Sequence, residues 1–215
     1  MNEIKTNDNL HIEGFFDEQT STISYVVHDN IEKKCAVIDS VLDFDYSSGD
    51  IDYVNADKII SYIDRNKLNV EWLIETHVHA DHLSASPYIQ KKLGGKIGIS
   101  EKISDIQNIF GKTFNAGTEF QRDGSQFDKL FKDNDEYKIG NINCKVINTP
   151  GHTPACTAHV IENSIFVGDT LFMPDLGSAR ADFPGGDARQ LYRSIQKILS
   201  YPDHTRIFVC HDYPP

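Results

Sequence analysis

The sequence is short of several things. Of its 215 residues only four are cysteine, and one is tryptophan. Cys35, Cys144, Cys156 and Cys210 stand far apart, with no Cys-x-x-Cys pair. A disulfide framework is therefore not expected. The thiols read as buried and reduced, because free cysteine is among the most buried residue types. Cys156 and Cys210 lie close in sequence to His152 and His211, which leaves a redox role open for either. Long apolar runs are also lacking. The longest are strand-sized, such as Cys35-Ala-Val-Ile38, against the ~20 residues a membrane-spanning helix needs. Residues 1–8 contain no apolar signal-peptide core, so the expected location is cytoplasmic. Basic charge is scarce: 21 Lys+Arg against 32 Asp+Glu give a net charge of −11. Nucleic acid and anionic membranes normally select a basic patch, so neither is an expected partner. Internal repeats and low-complexity tracts are missing too. What the chain has is 39% hydrophobic residues, enough for a core, and nine histidines on an acidic background. The length suits a single domain over 1–215.

Hydrophobic periodicity supplies the elements. Ile12, Phe16, Ile23–Val27 and Cys35–Asp39 read as an antiparallel meander with a turn at Asp29-Asn30. Ile59, Ile60 and Ile63 recur at helical spacing between Val54 and Lys67. Glu71–Glu75 is a buried strand, Leu83–Leu93 a helix ended by Gly94-Gly95, and Ile97–Ile99 a strand. A helix over Glu101–Phe110 follows, and Gly111–Gln126 is expected to be a mobile loop. Hairpins are expected around Gly140-Asn141 and Asn163. A loop over Pro174–Gly186 leads to a helix capped by Asp187 and reaching Leu199, and Ile207–Cys210 is the last strand. Strands and helices alternate in two rounds, which suggests an α/β (α+β) plan of two sheets faced by helices.

The chemistry concentrates in Thr76-His77-Val-His79-Ala-Asp81-His82. His77 and His79, two residues apart, share one side of an extended segment, and Asp81 and His82 fall where the chain turns. Imidazole and carboxylate together suit Zn, Fe or Mn. Three more ligand-type residues end apolar strands: His152 in Pro-Gly-His-Thr, Asp169 in Gly-Asp-Thr, and His211 in Val-Cys-His-Asp. Each alone reads as an ordinary turn or polar residue. With the first cluster they make a coherent set, one that spacing alone reads as two metals bridged by Asp169. His11, His28, His159 and His204 keep the ordinary reading.

In order, His77-x-His79-x-Asp81-His82, His152, Asp169 and His211 resemble the metal motifs of the metallo-β-lactamase-fold superfamily. The resemblance spans nearly the whole chain. It implies a four-layer αββα sandwich with the metal site at one edge, and it gives Asp39 the role of supporting the metal loop. Glu75–Ser84, Thr149–Cys156, Gly168–Asp175, Ala179–Asp187 and Val209–Tyr213 look most like the persulfide dioxygenase branch, also called β-lactamase-like hydrolase. That branch implies a mononuclear Fe(II), one per chain, held by His77, His152 and Asp169. His79, Asp81, His82 and His211 would then orient those ligands, or act as ligands themselves if the site is dinuclear. It further implies oxidation of glutathione persulfide by O2 to sulfite and glutathione, in sulfide metabolism. Arg180 would bind the substrate carboxylate and Tyr213 would bind near the sulfur, with Asp81 and Tyr213 as catalytic groups; a plain ion pair to Asp182 or Asp187 is the competing role for Arg180. The alternative is a zinc hydrolase, with one or two Zn(II), acting on thiolesters in the glyoxalase II manner or on β-lactams. A non-catalytic metal-binding scaffold is the third reading. A small-molecule thiol is the expected partner, with room left for a homodimer. Relatives of this branch usually continue past Pro215, so C-terminal elements that wall the pocket are expected to be missing. Ser40 and Ala181 stand where such relatives often carry Pro and Cys.

Overall fold

The computed structural model describes residues 9–213. The opening meander consists of β1 (Leu10–Asp17), β2 (Thr22–Asp29) and β3 (Lys34–Ile38). Next come β4 (Val41–Phe44), β5 (Ile51–Asp52), α1 (Val54–Asn66) and β6 (Asn69–Ile74). They lead into β7 (Leu83–Ser84), α2 (Ser86–Leu93), β8 (Lys96–Ser100), α3 (Ile103–Thr113) and β9 (Lys129–Phe131). The second half holds β10 (Glu136–Ile139), β11 (Ile142–Asn148), β12 (Thr157–Ile161) and β13 (Ser164–Phe166). A single 3-10 turn at Gly168–Thr170, α4 (Ala188–Leu199) and β14 (Arg206–Phe208) complete it.

Two main sheets face each other. One has the order β1-β2-β3-β6-β8-β9, the other β10-β11-β12-β13-β14. Strands β3, β6, β8 and β9 pair in parallel, and α1, α2 and α3 lie on the connections between them. The inner faces bury Val27, Ile38, Ile74 and Phe131 against Ile139, Val146, Ile161 and Phe166. On the outer face of the first sheet, Ala56, Ile59 and Ile63 of α1 and Ile89 of α2 cover Val26, Val37 and Leu73. Positions 56, 59 and 63 recur every three or four residues, which puts them on one helix face. Across the second sheet, Ile198 of α4 packs on Ile147, Ala158 and Ile165. These are the four layers αββα.

Local differences from expectation have physical causes. The helix expected from Leu83 begins at Ser86, because Leu83-Ser84 pair with Val41-Leu42 as a short strand. Pro87 sits in the first turn, where its missing N–H costs nothing. α3 runs on to Thr113, and the loop after it is tied back by Arg122, whose guanidinium donates to the Gly111 and Ala116 carbonyls at 3.1 and 2.8 Å. The last strand stops at Phe208. The chain then crosses to the first sheet, where Ile23 N–H donates to the Cys210 carbonyl at 2.7 Å. All four cysteines are free and buried, and burial pushes the thiols of Cys35, Cys144 and Cys156 up to about 12. No described helix is long and apolar enough to cross a membrane.

Candidate metal centre

β6 stops at Ile74, and residues 75–82 form an irregular loop. His77 and His79 are thus not on an extended strand, yet the loop still brings their rings to 4.1 Å. Asp39 holds this loop from beneath. It follows β3 in the left-handed region, φ +51°, which Asp tolerates better than most residues. Its carboxylate accepts the Thr76 N–H and the Thr76 hydroxyl, each at 2.8 Å, and lies 3.2 Å from His79 Nε2. A second buried carboxylate, Glu75, approaches the same nitrogen at 3.4 Å. Its other oxygen accepts the Ser84 and Ser86 hydroxyls at 2.6 and 2.5 Å. Sequence reasoning passed over Glu75. Its signal is an acidic residue closing an apolar strand, four positions before His79.

The opposite side comes from the second sheet. His152 follows β11, Asp169 sits in the 3-10 turn after β13, and His211 follows β14. Glycines allow the approach. Gly151 has φ +143°, and a Cβ there would lie 2.2 Å from the Leu191 backbone nitrogen. Gly168 has φ +52°, and a Cβ there would meet Thr76 Oγ1 at 2.5 Å. A side chain at 168 would push this turn away from Thr76, the neighbour of His77.

Asp169 is the centre of the arrangement. Its Oδ2 lies 3.6 Å from both His77 Nε2 and His152 Nε2. Its Oδ1 lies 3.3 Å from His211 Nε2, which is also 3.4 Å from Asp81 Oδ2. The ligand atoms of His77, His152 and Asp169 fall within 4.8 Å of one another, as do those of His79, Asp81 and His82. The outer nitrogen of each ring is held by the protein. His77 Nδ1–H donates to Thr76 Oγ1 at 3.0 Å, His82 Nδ1–H to the Leu83 carbonyl at 3.1 Å, and His152 Nδ1–H to the Arg180 carbonyl at 2.7 Å. His211 Nδ1 contacts Thr22 Oγ1 at 3.3 Å. Among the described residues, His77 Nε2, His79 Nδ1 and His82 Nε2 are buried with no hydrogen-bond partner, and His211 Nε2 faces Asp169 Oδ1 and Asp81 Oδ2 only across the long contacts of 3.3 and 3.4 Å. Each such atom costs about 1–3 kcal/mol unless something satisfies it. Outer nitrogens anchored and inner lone pairs converging is how proteins present histidines to a metal. The residues fit a cation at His77, His152 and Asp169, with His79, Asp81 and His82 as a second ligand group beside it and His211 facing both Asp169 and Asp81.

The electrostatics agree with that fit. Burial holds the His77 imidazole down at about 3 and His82 at about 4, in each case with His79 adding to the effect, so both stay neutral and able to ligate. Burial alone would raise Asp169, but His77 and His211 outweigh it and keep the carboxyl well below its usual range. Burial would raise Asp39 too, yet His79 brings it down to about 2. His79 is pushed up against its burial by Asp39 and Glu75, and His211 by Asp169 and Asp81. A metal at either ring would therefore displace a proton.

Two other residues singled out by sequence lie nearby. The Arg180 side chain is 65% exposed, its fork grips Asp182 at 2.6 and 2.8 Å, and it stacks over Phe183. Its contact with the cluster is the backbone carbonyl that holds His152. The Tyr213 ring stacks 5.1 Å from His211, and burial together with Asp169 and Asp81 pushes its hydroxyl up to about 12. Cys156 accepts the Thr153 N–H and hydroxyl. Cys210 is held well above its usual range by burial, so neither thiol is a ready thiolate.

Comparison with known proteins bears on this geometry. The chain is 51% identical to a probable metallo-hydrolase of Burkholderia pseudomallei, over 96% of this chain and 74% of that protein. It is 47% identical to glyoxylase B2 of Dictyostelium discoideum, over 95% of this chain and 70% of that one. Human mitochondrial persulfide dioxygenase ETHE1 is 27% identical over 92% of this chain and 66% of its own length. The crystal structure of ETHE1 from Myxococcus xanthus superposes with a TM-score of 0.74 at 26% identity, covering 94% of this chain and 76% of that one. The chain spans 47% of the beta-lactamase hydrolase-like protein of Agrobacterium fabrum. A family model matches residues 18–211, from before the Asp39 support through the last histidine of the cluster, and by that match the chain belongs to the metallo-beta-lactamase superfamily.

Proposed function

We propose that the protein is a two-cation hydrolase that cleaves thiolesters in the glyoxalase II manner. The observation that carries this reading is the set of unpaired inner atoms on both sides of Asp169. A single cation at His77, His152 and Asp169 would leave His82 Nε2 buried without a partner and Asp81 Oδ2 with only its long 3.4 Å contact to His211. A bound metal pair supplies Lewis acidity and a water whose pKa falls to ~7. The chain's own groups do the rest. Asp169 offers one oxygen to each side. Asp39 and Glu75 turn His79 so that Nδ1 faces inward. Asp81, with a 37% exposed side chain against 8% for Asp169, is the carboxylate placed to accept a proton from the attacking water and return it to the leaving thiolate. The products are a carboxylic acid and a free thiol. The metallo-hydrolase name of the relative at 51% identity and the glyoxylase name of the one at 47% support this reading.

A second reading is a mononuclear iron persulfide dioxygenase acting on glutathione persulfide. It is favoured by the equal 3.6 Å distances of His77 and His152 from one carboxylate oxygen and by the likeness to ETHE1. Two histidines and one carboxylate form the facial arrangement of such iron sites. In this reading Arg180 leaves Asp182 to bind the substrate carboxylate, and Tyr213 reaches the sulfur. Elemental analysis combined with two assays separates the readings. Two metals per chain, with thiolester hydrolysis and no oxygen uptake, are expected. One iron per chain, with oxygen consumed on glutathione persulfide, would overturn the hydrolase. Asp169→Ala is expected to lose the metal in either case.

A further inference from the structure

A cavity of about 530 Å³ opens beside the cluster, with His79 and His152 in its lining. That size is typical of small-molecule pockets. Its wall includes Val78, Ile106, Phe110, Phe114, Phe120 and Phe127, and among the described residues no Lys, Arg, Asp or Glu lines it. Phe114 is 74% exposed and Phe120 40%, so aromatic surface stands open at the rim.

The few neutral polar groups in the lining are engaged elsewhere. Gln107 donates to Gln126 at 2.9 Å and accepts the Gly124 N–H at 2.9 Å. Gln126 in turn donates to the Gln121 carbonyl at 2.7 Å. The Thr153 hydroxyl is shared between Cys156 Sγ and the Ala155 N–H. The arginines on the surrounding loops are outside the lining, Arg122 held by backbone carbonyls and the exposed Arg180 paired with Asp182. A peptide-like thiol such as glutathione carries two carboxylates and an ammonium, and this wall gives them no free partner. Burying them unpaired is costly, whereas apolar surface is welcomed.

We infer that this cavity is the acyl-binding site and that the substrate carries an extended apolar acyl group, aliphatic or aromatic, on the sulfur. The bond cleaved rests on the hydrolase reading; the apolar selectivity rests on the cavity alone. The acyl chain lies along α3 and the 114–127 loop, and the thiolester carbonyl meets the cluster between His79 and His152.

The test uses N-acetylcysteamine thiolesters with acetyl, hexanoyl and decanoyl groups on the metal-loaded protein. Beside it, calorimetry follows binding of the uncleavable S-ethyl, S-hexyl and S-decyl thioethers of the same thiol. Thioether affinity is expected to rise two- to fourfold per added methylene, the upper figure being ~0.8 kcal/mol per fully buried CH2. Phe114→Ser and Phe120→Ser, changes at exposed positions, are expected to cut the decyl-over-ethyl preference about tenfold together. If no thiolester is cleaved but the thioether series still climbs and these variants flatten it, the hydrolase reading falls and the cavity assignment stands. If thiolesters are cleaved at rates independent of chain length, and the thioethers bind alike, the assignment is overturned and the hydrolase remains.

Discussion

Three histidines, His77, His152 and His211, meet at Asp169, and single atoms decide what each neighbouring residue can do. Arg180 shows this most clearly, because its carbonyl rather than its guanidinium holds His152. Arg180→Ala is therefore expected to leave metal content unchanged by elemental analysis. Asp39 is the opposite case. Its carboxylate accepts two bonds from Thr76 and faces His79, so Asp39→Asn is expected to weaken metal binding ~10–100-fold in a chelator competition. The His and Asp residues of the cluster were legible in the sequence, since few other tasks gather four ligand-type residues within six positions. Glu75 was not, because it is one of 32 acidic residues and its burial depends on Ser84 and Ser86 folding back over it.

At the scale of elements, the site depends on how strands and helices end. Asp187 caps α4 by accepting the Arg189 and Gln190 N–H groups at 2.7 and 3.0 Å, and the Asp187 N–H donates to the Gly151 carbonyl beside His152. Asp187→Ala is expected to cost about 0.5–2 kcal/mol in denaturant unfolding. Gly168→Ala meets both a positive φ and the Thr76 hydroxyl, so it is expected to lower the melting temperature and reduce bound metal together. The long elements were legible from their periodicity: α1, α4, β2 and β11 fall close to where the apolar pattern puts them. The short strands β4, β5, β7 and β9, two to four residues each, were not. Such segments are too brief to show alternation, and they become strands only because a neighbour offers a ladder.

For the whole molecule, the two-sheet plan followed from the double alternation of strands and helices, but the seam between the sheets is a long-range product. Stability should carry a mark of what that seam buries. His159 lies fully buried between the sheets, its Nδ1 2.9 Å from the Tyr137 hydroxyl, and burial holds it down at about 4. His28, beside Tyr62, is likewise lowered to about 4, by burial first and by His11 and Lys33 next. In the unfolded chain such rings take up protons from about pH 6.5. Below that the unfolded state binds more protons, so stability is full above pH 6.5 and falls as the pH drops toward 4. His159→Gln is expected to flatten this loss by up to about 1.4 kcal/mol per pH unit, read from denaturant midpoints between pH 6.5 and 4.5. The closing contact of the seam has a temporal consequence as well. Thr22 bridges His211 across 189 positions, with Cys210 and Asp212 hydrogen-bonded to Ile23 and Ser21 alongside. A ribosome adding roughly 5–20 residues per second needs on the order of 10–40 s to deliver the second partner after the first. From residue 82 to residue 211, the later part of that interval, the nascent chain carries the His77–His82 loop without His211 to complete it. The complete ligand set thus forms only once His211 has emerged from the ribosome's tunnel and folded back onto Thr22.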